Sequence, residues 1–142
     1  MKKFFFLTVC FLLITLTACS EKEQTIDMNR VSKETMITKK YLEEKGYTLV
    51  SFVGKSREVL TKEYLASIRG QQEWKVQPVK PDPFIGKAIQ RVTFVVKNHP
   101  LNKQYHGEIR VTVFLYQNKV IGGTSFAPEN DGAVHSLDGK ND

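Results

Sequence analysis

Apolar and polar positions follow four successive patterns along this chain. Phe4–Leu16 is unbroken by charge and mostly large and apolar. Ser20 to about Arg30 is polar and unpatterned, which predicts a short tether without a core-forming face. From Ser32 the period becomes helical. Ser32 can cap a helix running to about Lys45, with Ile37, Tyr41 and Lys45 inward beside Met36 and Leu42, and Gly46 supplies the left-handed residue after its end. Tyr47–Val53 reads as a strand that Gly54 ends. A second helix begins at Thr61, stapled by Leu60 and Leu65, carries Leu60, Tyr64 and Ile68 at helical spacing, and closes at Gly70. Gln71–Gly86, with Pro78, Pro81 and Pro83, reads as irregular chain because proline lacks a ladder donor.

The period then shortens to two. Gln90, Val92, Phe94 and Val96 alternate with Arg91, Thr93, Val95 and Lys97. Ile109, Val111, Val113 and Leu115 alternate with Arg110, Thr112, Phe114 and Tyr116. Asn98–Gly107 connects these two strands. Gln117-Asn118-Lys119 turns the chain, since Asn tolerates the positive φ of a tight hairpin. Val120-Ile121 starts the return strand, and Ala133–Leu137 reads as a last short one. Helix, strand, helix, then a run of strands argues an α+β fold. The expected form is a small antiparallel sheet of about four strands with two helices packed on one face.

The apolar N-terminal run changes the picture. Lys2 and Lys3 precede it, and its thirteen residues suit a signal-peptide core. They fall short of the roughly 18 of a permanent membrane span. Leu16-Thr17-Ala18-Cys19 follows and resembles a lipobox, the cleavage and acylation signal of bacterial lipoproteins. Small Ala18 suits the peptidase, and only the thiol of Cys19 can take a diacylglyceryl group. Leu7-Thr8-Val9-Cys10 has bulky Val9 before its Cys and almost no apolar core upstream. The resemblance implies a signal peptide over 1–18, lipid attachment at Cys19, a tether over 19–30 and a single domain over 31–142. It also implies a place on the outer face of the bacterial cytoplasmic membrane. Two acyl chains hold a protein stably where one holds it marginally.

Cleavage before Cys19 leaves 124 of the 142 residues, and loss of Lys2 and Lys3 lowers the formal charge from +6 to +4. That length suits one domain with a real core. With Cys19 acylated and Cys10 removed, no disulfide is expected, so stability rests on packing. The mild positive balance, with no run of five or more like charges, gives no basic stripe for nucleic acid.

Candidate chemistry is sparse. His99 and His106 stand seven apart across a loop, too far for metal-ligand spacing on one element. Gly122-Gly123-Thr124-Ser125 lacks the strand-to-helix nucleophile elbow, and a glycine pair in a strand more often marks a bulge or close backbone approach. Ser125 or Ser136 with His135 and Asp138 forms a triad on paper only. Glu43 and Glu44 diverge on a helix, and Asp131 stands apart. Trp74 and His99 are the candidate ligand or partner contacts. No cofactor or metal is expected.

Trp74, Gly86-Lys87, Val96-Lys97-Asn98-His99-Pro100-Leu101, Val120-Ile121-Gly122-Gly123 with Ser125-Phe126, and Ser136-Leu137-Asp138-Gly139-Lys140 resemble a family of small Gram-positive lipoproteins of unknown function. The resemblance spans roughly Tyr41 to Lys140. The family pattern runs Ser-Phe-Pro unbroken, whereas here Ala127 intervenes before Pro128. The family has no activity to carry over. The expected function is a non-catalytic binding or interaction module of the cell envelope, with an envelope protein or wall polymer as partner. An inhibitor or regulator of an exported envelope enzyme is the alternative, followed by an unrecognised hydrolase.

Overall fold

A computed structural model of the chain describes residues 31–129 and 132–140. The signal peptide, Cys19 and tether expected from the sequence lie outside these residues. The chain runs α1 (Lys33–Glu44), β1 (Thr48–Val59), α2 (Lys62–Ala66), α3 (Ile68–Lys75), β2 (Ala88–Lys97), β3 (Ile109–Tyr116), β4 (Lys119–Phe126) and β5 (His135–Ser136). Short 3₁₀ turns at Asp82–Phe84 and Pro100–Lys103 flank β2. The strands form one antiparallel sheet in sequence order, β1-β2-β3-β4-β5. The fold is therefore α+β, as expected, with five strands and three helices among the described residues where about four and two were expected.

Alternation along β2 and β3 assigns every side chain to a face. Val92, Phe94 and Val96 join Ile109, Val111, Val113 and Leu115 on the first face, where all are buried. Helix α1 covers this face through Leu42, with Ile37 and Tyr41 packed against the core. Its buried line is Thr35, Thr38 and Leu42, so the helix is rotated from the expected face; Met36 is 52% exposed and Lys45 lies outside. Ser32 does cap it, accepting a hydrogen bond from the Thr35 N–H, and Gly46 follows at φ +87°.

The helices do not share one face. Ile89, Phe114 and Tyr116 occupy the second phase of the alternation, and Ile121 joins them at a bulge where β3 and β4 shift register. These residues make one end of the second face apolar. Leu60, Tyr64, Leu65, Phe84 and Trp74 cover it, forming a second core under α2 and α3. Aromatic rings knit this core, Trp74 lying 6.1 Å from Phe84 and 6.3 Å from Phe114 between ring centroids.

Three boundaries depart from expectation for local reasons. Strand β1 continues through Gly54 to Val59, pairing as far as Ala88, and absorbs irregularities at Val50 and Val53. The second helix breaks at Ser67, whose extended backbone (φ −69°, ψ 156°) ends α2 while its hydroxyl accepts from the Gly70 N–H to start α3. Ile68 consequently points out, at 79% exposed. Gly70 lies inside α3, where a Cβ would sit 1.9 Å from the Tyr64 carbonyl oxygen, so it permits the close approach of α2 and α3. The β3–β4 hairpin matches expectation: Gln117 and Asn118 both take positive φ (48° and 62°) between paired Tyr116 and Lys119.

Candidate functional site

Helices α2 and α3 cover only one end of the second sheet face. Beside them the register lines up Gly54, Thr93, Thr112, Thr124 and Ser136 across all five strands. Every residue in this row is glycine or carries a short hydroxyl. Thr93, Thr112 and Thr124 of this row, flanked by bulkier neighbours, form the floor of a groove of about 320 Å³. Arg69 and Glu73 of α3 form one wall with Arg91 and Ser56. Phe126 closes the groove from β4, with Gly132 and Val134 beside it. The Thr93 and Thr112 hydroxyls hydrogen-bond each other at 2.8 Å. Strand backbones hold these hydroxyls, so they present a fixed pattern of donors and acceptors.

The charged wall is built by burial. Arg91 is 7% exposed, with its guanidinium 4.8 Å from the Phe114 ring centre and 5.3 Å from that of Tyr64. Its Nη2 lies 3.0 Å from Glu73 Oε2, and Nη1 lies 3.5 Å from Glu58 Oε2. Glu73, also 7% exposed, further accepts from Arg69 Nε at 3.1 Å and from the Tyr64 hydroxyl. Burial, and then the hydrogen bond to Glu73, raise the Tyr64 pKa above its ordinary value. Both carboxylate oxygens of a buried Glu are thus engaged, as an ion pair taken out of water requires.

The glycine pair of β4 serves this wall. Gln77, just past α3, donates Nε2 to the Gly123 carbonyl (3.1 Å) and accepts the Gly123 N–H (2.7 Å), clamping α3 to the sheet. A Cβ on Gly122 would lie 2.1 Å from Gln77 Oε1, and one on Gly123 2.4 Å from the Thr112 carbonyl oxygen. Close backbone approach, one of the readings open in the sequence, is therefore the role of this pair.

The residues singled out from sequence are dispersed. Trp74 is 7% exposed in the second core, and its indole N–H has no partner among the described residues. His99 is 2% exposed and caps the 3₁₀ turn Pro100–Lys103. Its Nδ1 accepts the Leu101 N–H (3.2 Å), which makes Nε2 the donor to the Leu137 carbonyl (2.9 Å), and Tyr47 packs 4.9 Å away. Burial pulls the His99 pKa below its ordinary value. His135 is buried with Nε2 3.4 Å from the Tyr105 hydroxyl. Ser125 donates to the Ser136 carbonyl (2.7 Å), and Asp138 takes Lys45 (3.1 Å) and the Tyr47 hydroxyl (3.4 Å), so these hydrogen bonds do not assemble the paper triad. Burial and the nearby Asp138 carboxylate push the Tyr47 pKa up to about 12. Glu43 and Glu44 pair with Lys39 and Lys40 along α1. His106 is exposed on the loop before β3, and Asp131 and Cys19 lie outside the described residues. Among the described residues no group of three or more His, Cys, Asp or Glu is placed to hold a metal ion. None of their helices is long and apolar enough to cross a membrane.

The groove itself went unread in the sequence. Its one local signal is that Thr93 and Thr112 fall on the outward phase of their strands; bringing Thr124 and Ser136 into the same row requires the register. No family model, curated protein or solved structure matches this chain.

Proposed function

We propose that the chain is a lipoprotein held at the outer face of the bacterial cytoplasmic membrane through Cys19, and that its domain is a binding module. The observation that carries the binding reading is the hydroxyl-floored groove on the second sheet face. Small-molecule sites are concave, largely preformed and equipped with a few fixed polar groups, with volumes of about 300–1,000 Å³. This groove meets that description at 320 Å³, with Thr93, Thr112 and Arg91 fixed by strands and ion pairs. The anchor reading rests on Lys2-Lys3, the apolar run Phe4–Leu16 and Leu16-Thr17-Ala18-Cys19. A domain that recognises envelope components gains from being confined to the surface where they lie, because tethering raises their effective concentration.

Metabolic labelling with an alkyne fatty acid, followed by membrane fractionation, tests the anchor. The native chain is expected to carry label in the membrane fraction and Cys19→Ala to carry none. Equal labelling of both removes the lipid-anchor reading and leaves the groove reading standing.

A further inference from the structure

We infer that the groove takes a neutral sugar ring, as part of a glycan chain, and not a charged ligand; this deepens the binding-module reading and rests on it. The charges of the site decide between the two classes. Among the described residues its charged lining is Arg69, Arg91 and Glu73, with no lysine. Each guanidinium is already paired: Arg69 with Glu73, and Arg91 with both Glu73 and Glu58. Glu58, outside the lining, brings the carboxylates to two against two guanidiniums, so these four groups leave the site no net positive charge. An anion at Arg91 would have to break its buried pair with Glu73, which costs more than it returns, and one at Arg69, 73% exposed, gains little because water screens the pair.

The remaining chemistry suits a polyol. Ser56, Thr93, Thr112 and Thr124 each supply a hydroxyl that can both donate and accept. Thr93 and Thr112 share one hydrogen bond, which consumes a single donor and leaves the other proton for a ligand. A sugar hydroxyl has the same dual character, so each such contact can be satisfied in either direction. Phe126 and Val134 add an apolar wall beside these groups. A pyranose ring has an apolar C–H face and a polar rim, and this juxtaposition of an aromatic side chain with fixed hydroxyls complements both. The volume of 320 Å³ accommodates a short saccharide rather than a protein surface.

The test is a titration of the ¹⁵N-labelled full-length chain in detergent, followed by NMR. The neutral probes are an N-acetylglucosamine tetramer and maltotetraose; the charged probe is polyglycerol phosphate. A neutral probe is expected to shift the amide signals of Thr93, Thr112, Thr124 and Phe126. Thr112→Val, which keeps the side-chain shape, is expected to bind about tenfold more weakly, as loss of one hydrogen bond implies. Phe126→Leu is expected to weaken binding while the melting temperature reports that the fold persists. Shifts at these residues with polyglycerol phosphate alone would overturn the neutral-sugar class and leave the groove as a binding site. Absence of shifts with all three probes would overturn the sugar class and the groove reading together. Equal affinity of Thr112→Val and the native chain would overturn the hydroxyl floor as the recognition element.

Discussion

Glu73 shows how much of this structure turns on single buried groups. Its carboxylate gathers Arg91, Arg69 and the Tyr64 hydroxyl at the last turn of α3. Removing it would leave the Arg91 guanidinium buried with only the more exposed Glu58 as counter-charge. Glu73→Ala is therefore expected to cost about 3–5 kcal/mol of stability in urea denaturation. Glu43→Ala breaks only the exposed Lys39 pair and is expected to cost no more than about 0.5 kcal/mol. Equal losses would mean that the Arg91 wall is not a coupled unit. His99 makes a second prediction at this scale. Its folded-state pKa is lowered, chiefly by burial, and the neutral ring is the form that accepts the Leu101 N–H at Nδ1. As pH falls the unfolded chain takes up this proton first, so stability is full above the ordinary histidine pKa of about 6.5 and declines below it. Unfolding free energy is expected to fall between about pH 7.5 and about pH 5, with a shallower slope in His99→Gln. An unchanged slope in that variant would remove His99 as the cause.

The elements show which parts of the fold a sequence displays. Strands β2 and β3 were legible because one phase of each is almost wholly apolar, and the hairpin because Asn118 accepts positive φ. The second core was not, because Ile89, Phe114 and Tyr116 sit on the phase that also carries Arg91 and Thr112; that face becomes apolar only once strand register collects them. The α2–α3 break was hidden for a related reason. Ile68 extends the helical spacing of Leu60 and Tyr64, yet Ser67 caps a new helix there and leaves Ile68 exposed. Gly70, expected to close a helix, instead lets two helices touch. Gly70→Ala is accordingly expected to destabilise by about 1–3 kcal/mol, since backbone atoms of Tyr64 and Leu65 must move. Gly54→Ala, with nothing within 4 Å of the added carbon, is expected to be neutral or to stabilise by up to about 1 kcal/mol. Thermal melts of the two variants check the opposite signs. An unchanged melting temperature in Gly70→Ala would contradict the packing of α3 against α2.

At the scale of the molecule, one sheet serves two ends. Its first face and α1 make the main core. Its second face is divided between the aromatic core under α3 and the open hydroxyl row. Neither Trp74 nor His99, the two candidate contacts named from sequence, lines that groove, because single residues were legible while a row assembled across several strands was not. The central claim is that the groove is where this protein meets its ligand, and site-specific photo-crosslinking in the native envelope tests it most directly. A benzoylphenylalanine is placed at Ser56, on the groove wall, or at Met36, exposed on α1. Irradiation is expected to give a discrete envelope adduct from the Ser56 position and none from Met36. Adducts of equal yield from both positions, or an adduct from Met36 alone, would contradict the assignment.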